Sequence, residues 1–216
     1  AVISVVGYLI GIFLRKKISV LNPLLVSIIF VIAVIKIFHI DYETYNSGAK
    51  YISYLLTPAT VCLAIPLYRQ ISVLKEHAKE VFIGILAGVL ASMGSILLMS
   101  YFFGLTHEQY VTLLPKSITT AIGMGVSEEL GGIQTITVAV IIITGVLGNI
   151  IAEAVLKIFR IKEPVAKGLA IGTASHAIGT TKALEIGEIE GAMSSLSVAV
   201  AGLMTVISAS IFANMM

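Results

Sequence analysis

Three short polar segments interrupt otherwise apolar sequence, and each sets hydroxyls beside a helix breaker. The first is Thr57-Pro58-Ala59-Thr60. Pro58 lacks an N–H and clashes with a preceding carbonyl, so a helix is expected to kink or break there. The hydroxyls of Thr57 and Thr60 can then serve freed backbone groups or a ligand. The second is Leu114-Pro115-Lys116-Ser117-Ile118-Thr119-Thr120-Ala121. Proline suits a first helical position, because its missing N–H would be unpaired there anyway. A helix starting at Pro115 would point free N–H groups and its positive dipole end forwards, with the charge of Lys116 added. Thr119 and Thr120, three and four residues on, would share its face. Together with Ser117 this is a plausible cradle for a carboxylate. The competing reading has Lys116 reaching to the interface while the hydroxyls cap the helix.

The third segment runs from Gly172 to Lys182 and holds Thr173, Ser175, His176, Thr180 and Thr181. Thr173, His176 and Thr180 are spaced by three and four, so one helix would place them on one stripe. Gly172 and Gly179 allow close backbone approach or an unwound turn. His176 is the sole histidine inside an apolar segment, since His39, His77 and His107 stand at expected span ends. Polar groups are costly within a bilayer, which shifts the expectation for His176 from structure towards a solute path. Lys182 and Glu185 can pair on the next turn. Glu153 can pair with Lys157 at i+4. Glu188 and Glu190 read as solvated groups at the start of the last helix.

These segments must be positioned by helices that cross a membrane. Only 12% of the 216 residues are charged and 57% are hydrophobic. A soluble domain of this composition would lack the polar surface to cover its core. The net charge of +2 gives no nucleic-acid footprint, and the single cysteine excludes a disulfide framework or a cysteine-based metal site. No cofactor or metal is expected. There is no serine-hydrolase elbow, zincin motif, Walker sequence or dinucleotide fingerprint, so no enzyme is expected either.

Asp, Glu, Lys and Arg are missing from 1–14, 18–35, 51–68, 81–107, 130–152 and 191–216. A spanning helix needs about 20 mostly apolar residues, so these intervals, with their apolar flanks, are the expected spans. Ala1 already lies within an apolar run, and further residues are expected before it. Alternating barrel strands are not seen. The fold class is therefore an all-α integral membrane protein, a polytopic helical bundle with broken or re-entrant helices.

Basic residues concentrate at 15–17, 69–79 and 157–167, whereas 41–50 carries Asp41, Glu43 and only Lys50. With the basic loops cytoplasmic, segment 130–152 enters from outside. Segment 109–127 then makes no net crossing and should be a re-entrant hairpin or lie within the bundle. Segment 168–184 crosses or re-enters, and re-entry is favoured. The chain divides near Thr106–Glu108 into 1–105 and 106–216, each with four apolar segments, one of them broken. That suggests an internal repeat of the kind transporters use.

The joint order of several motifs resembles the LrgB/CidB membrane proteins over essentially the whole chain. They are Leu56-Thr57-Pro58-Ala59-Thr60 through Gln70, Leu114-Pro115-Lys116-Ser117-Ile118-Thr119-Thr120, Gly131-Gly132-Ile133, Gly172-Thr173-Ala174-Ser175-His176-Ala177-Ile178-Gly179-Thr180 and Glu185 through Met193. The resemblance implies one of two roles. Relatives including the plastid glycolate/glycerate translocator move small carboxylates. Others are described as antiholin-like or holin-like, influencing murein hydrolase export and lysis beside a smaller LrgA/CidA-type membrane partner. Broken polar helices suit alternating-access transport of small monocarboxylates such as pyruvate, glycolate or glycerate, the leading expectation. The antiholin-like regulator is the alternative. A bacterial inner-membrane location and a homo-oligomer are also expected.

Overall fold

The structure, a computed structural model, describes residues 1–18, 21–55, 58, 62 and 64–216. The described residues form helices and connecting turns without strands. The chain divides into two compact units, Ala1–Cys62 and Leu63–Met216.

In the first unit, α1 (Val2–Lys17) and α2 (Pro23–Ile37) pack closely, and α3 (Tyr42–Ser53) follows. Glycine permits the approach: a Cβ at Gly7 would lie 2.8 Å from the Phe30 ring, and one at Gly11 would overlap Pro23. Asn22 caps α2 by accepting from the N–H groups of Leu24 and Leu25. The expected span 51–68 is not one helix, since α3 ends at Ser53 and Tyr54–Leu55 form a turn.

The second unit begins with α4 (Ala64–Arg69) and α5 (Ile71–Glu76). Three long apolar helices follow at intervals: α6 (Ala78–Phe103), α9 (Gln134–Ile158) and α11 (Glu188–Ala213). At about 1.5 Å per residue each is longer than the roughly 30 Å hydrocarbon core. Their outer faces are apolar, with Leu98 71% and Phe102 80% exposed. Large exposed apolar faces are untenable in water and natural in lipid. The expected spans 81–107, 130–152 and 191–216 are thus found, shifted by a few residues.

Between α6 and α9 lies a hairpin made of α7 (His107–Leu113), a non-helical turn at 114–119, and α8 (Thr120–Glu129). Both its ends lie at one face. The Tyr110 hydroxyl donates to the Phe212 carbonyl near the end of α11. Thr112 meets the start of α9, its Oγ1 accepting from Ile133 N–H at 2.8 Å. The turn between reaches the level of Ala201 and Thr205, the middle of α11.

Between α9 and α11 lies α10 (Pro164–Ile186), which is broken at His176. A straight helix would hold residues 172 and 180 about 12 Å apart. Yet both touch Ser194 of α11: Gly172 sits against its carbonyl and Thr180 hydrogen-bonds its hydroxyl at 2.8 Å. Likewise Gly168 rests on Glu190 and Leu184 rests on Gly191, although a straight helix would part them by about 24 Å. The two halves of α10 therefore fold back and lean on the same stretch of α11. Both ends lie at the face where α11 begins.

The order α6, first hairpin, α9, second hairpin thus consists of two units of opposite direction. Residues 78–133 run a span and then a hairpin from one face, and residues 134–186 do the same from the other. Lys157, Arg160, Lys162, Lys167 and Lys182 line one recess at the second hairpin's face, and Arg69 stands beside Glu188 there; this is called the basic face below.

Candidate functional site

The first hairpin is held by hydroxyls. Thr137 Oγ1 on α9 donates within a cluster formed by the Thr112 carbonyl at 2.8 Å and Ser127 Oγ at 2.7 Å. Gly132 N–H donates to the Ser127 carbonyl. Gly131, at φ 80°, and Gly132, where a Cβ would lie 2.6 Å from Ser127 Oγ, let the chain turn tightly into α9. Thr112, Ser127 and Thr137 are fully or almost fully buried and have partners. Their arrangement is that of a structural pin.

The second hairpin turns on one strained residue. His176 has φ 43° and ψ −144°, a conformation that favours glycine. Its ring is 3% exposed and lies against Gly145 of α9, where a Cβ would be 2.6 Å from Cε1. Nε2 is 2.9 Å from the Ile141 carbonyl. A carbonyl only accepts, so Nε2 carries the proton. Three residues on, Gly148 makes room for Ser175. The carbonyls released by the break are satisfied: Thr180 Oγ1 donates to His176, and Asn149 Nδ2 and Thr181 Oγ1 donate to Ile178.

The hairpin tips approach each other at mid-depth. A small cavity there is lined by Ser92 and Met93 of α6, Leu114 and Ser117 of the first tip, Thr173 of α10 and Thr205 of α11. Its volume of about 10 Å³ is the room of a single water. Lys116 borders it, donating from Nζ to Ser117 Oγ at 3.0 Å and to Ser92 Oγ at 3.3 Å. Ser92 and Ser117 are themselves 3.0 Å apart. One cation and several hydroxyls, set among buried apolar side chains, form a pocket suited to a small anion or a polar solute.

Of the residues singled out by sequence, Lys116, Ser117 and Thr173 are brought together here. Ser175, His176 and Thr180 belong to the tip of the second hairpin and face α9 or α11. Thr119 precedes α8 without a side-chain cap bond, and Thr120 is its first residue. Thr57 and Thr60 lie outside the described residues, and Pro58 between them is exposed.

Several expectations need correction. Pro115 does not start a helix. It lies in the turn, so Lys116, Thr119 and Thr120 share no helical face. The break in α10 falls at His176 rather than at Gly172 or Gly179, which lie in helical stretches and serve close packing. Consequently Thr173, His176 and Thr180 do not form one stripe. Glu153 pairs with Lys182 instead of Lys157. Glu190 is not solvated: it is 7% exposed and sits 3.5 Å from Lys167. The expected Lys182–Glu185 pair is present at 3.2 Å. Sequence reasoning passed over Ser92 and Thr205, whose signal was a lone hydroxyl at the centre of an uncharged span.

Comparison with known proteins decides the family. A family model described as "LrgB-like family" matches residues 4–215. The chain belongs to the LrgB-like family. Proteins named "Antiholin-like protein LrgB" from Bacillus mycoides (strain KBAB4) and Bacillus cereus (strain B4264) are each 38% identical over 95% of this chain and 91% of their own length. A protein of the same name from Bacillus anthracis (strain CDC 684 / NRRL 3495) matches equally. No solved structure matches the chain. For the LrgB-like family, the names of these relatives favour the antiholin-like alternative over the carrier reading.

Proposed function

We propose that this LrgB-like membrane protein is a carrier of small monocarboxylates such as pyruvate, glycolate or glycerate, with no enzymatic step. The observation that carries this reading is the polar pocket at mid-depth, where two hairpins from opposite faces meet. Short helices ending at the midplane are costly unless they line a cavity, and discontinuous helices around a central site are a recurrent carrier architecture. In this reading Lys116 supplies the charge that offsets a carboxylate, and Ser92, Ser117, Thr173 and Thr205 supply hydrogen bonds. Thr119 and Thr120, at the start of α8, keep their proposed role beside the path, while Ser175, His176 and Thr180 shape the second tip that bounds it.

The pocket admits about one water in this conformation, so a two- or three-carbon acid requires the hairpins to part. Alternating access follows if that parting occurs towards one face at a time. With the basic face cytoplasmic, as positive charge dictates in bacterial inner membranes, the first hairpin enters from outside and Met216 lies outside. A multi-pass inner-membrane location and assembly as a homo-oligomer belong to the same proposal.

The test is uptake of labelled pyruvate and glycolate into liposomes holding the purified protein, with and without a proton gradient. Protein-dependent flux is expected, with a large loss in Lys116→Ala. Absence of flux for every short carboxylate tried would end the carrier reading. A second reading, favoured by the relatives' names, is an antiholin-like regulator of murein hydrolase export working with an LrgA/CidA-type partner. It predicts altered hydrolase release on expression even in a flux-dead Lys116→Ala variant.

A further inference from the structure

A second cavity points to how the midplane pocket is reached. Between α6 and the first half of α10 lies a cleft of about 460 Å³. Its mouth, at the basic face, carries His77, Glu80 and Glu163. Glu80 and Glu163 are exposed. Below the mouth one wall is Gly84 and Gly88 on α6, and the other is Val165, Ala166, Leu169 and Ala170 on α10. The floor is Thr173, which also lines the midplane cavity. Thr173 is therefore the side chain common to both spaces. It presses on α6 where a Cβ at Gly88 would be 2.9 Å from its Oγ1. Its hydroxyl donates to the Leu169 carbonyl one turn back, which holds the side chain in place without a partner on α6.

We propose that this cleft is the aqueous access route from the basic face to the midplane pocket, with Thr173 as its gate. The proposal rests on the carrier reading for its purpose but not for its test. The glycines of α6 leave room for water beside α10, and a shift of one side chain against Gly88 joins the two spaces.

The experiment is cysteine accessibility in a Cys62→Ser background, which removes the chain's single thiol. Ala166→Cys and Ala170→Cys report the cleft, Ser117→Cys the pocket behind the gate, and Leu90→Cys, on an exposed apolar position, the lipid. Membrane-impermeant thiol reagents are applied separately to each face of oriented vesicles. Ala166→Cys and Ala170→Cys should react from the basic face only, while Leu90→Cys stays unreactive. Ser117→Cys should react slowly from that face and about tenfold faster when Thr173→Ala is added, equivalent to lowering one barrier by about 1.4 kcal/mol. Thr173→Ser, which keeps the hydroxyl bonded to Leu169, should leave it slow. An unreactive Ala170→Cys, or a Ser117→Cys rate indifferent to Thr173→Ala in folded protein, overturns the route. Labelling as expected without any carboxylate flux supports the route and counts against the carrier reading alone.

Discussion

The two hairpins solve one problem by different means. Each must reverse the backbone inside a membrane, where unpaired N–H and C=O groups cost several kcal/mol apiece. The first hairpin uses a non-helical turn at 114–119 and satisfies the surrounding backbone with the hydroxyls of Thr112, Ser127 and Thr137. The second keeps helical geometry up to a single residue, His176, and is clamped by close packing on glycines of α9 and its own helix. Both use hydrogen bonds and glycines, but a buried hydroxyl cluster distinguishes the first, and a strained residue packed on glycines distinguishes the second. A glycine packed on a neighbour's backbone tolerates no added volume, an open one does, and the hydroxyl cluster of the first hairpin does not tolerate loss of polarity.

The largest effect should come from adding volume to the second hairpin. At Gly168 and Gly172 a Cβ would already lie 2.5 Å from the Glu190 and Ser194 carbonyls. Gly172→Leu is expected to cost more than about 4 kcal/mol, the range of severe overpacking and backbone displacement, and to abolish a monodisperse folded species in detergent. Gly125→Ala on the first hairpin, with nothing near its Cβ position, should leave melting unchanged within error. Equal effects at the two sites would erase the contrast.

Next is loss of polarity in the first hairpin. Thr137→Val strips a partner from the Thr112 carbonyl and from Ser127, and should cost about 1–3 kcal/mol in a reversible unfolding assay. A smaller effect sharpens the strain at the second tip. His176→Gly loses the bond to Ile141 but relieves the backbone, whereas His176→Ala loses the bond and keeps the strain. The glycine variant should be the more stable by about 1–2 kcal/mol. If alanine is the better tolerated, the tip is not strained. The smallest effect is expected at the basic face. Glu153→Gln weakens the bridge to Lys182, but Glu153 is half exposed, so less than about 1 kcal/mol should be lost.

What could be read beforehand follows the same division. Missing charge located α6, α9 and α11, because charge in lipid is costly whatever the fold. Counting crossings showed that 109–127 makes no net crossing, as a hairpin or within the bundle, and Pro115, read as a helix start, stands in the hairpin's turn instead. The second hairpin was legible only as a weakened segment. Its break was assigned to Gly172 and Gly179, the residues most able to bend. The structure puts the bend at His176, because Gly145 and Gly148, on another helix, leave a hollow into which that turn fits. The glycines were a signal of close packing, and their partners are set by tertiary structure. The burial of Glu190 was hidden for the same reason, since Lys167 becomes its neighbour only when α10 folds back. Ser92 and Thr205 gave almost no signal, because hydroxyls in membrane helices are common and often bond their own backbone.

The claim on which pocket, gate and carrier reading all depend is that the hairpins enter from opposite faces. It is tested most directly by sided thiol labelling at their four ends in a Cys62→Ser chain, using the exposed positions Glu108→Cys, Glu128→Cys, Glu163→Cys and Glu185→Cys. The first two should react with an impermeant reagent from one face only, and the last two only from the other. A pair whose members react from different faces would show that its segment crosses the membrane, and would contradict the account.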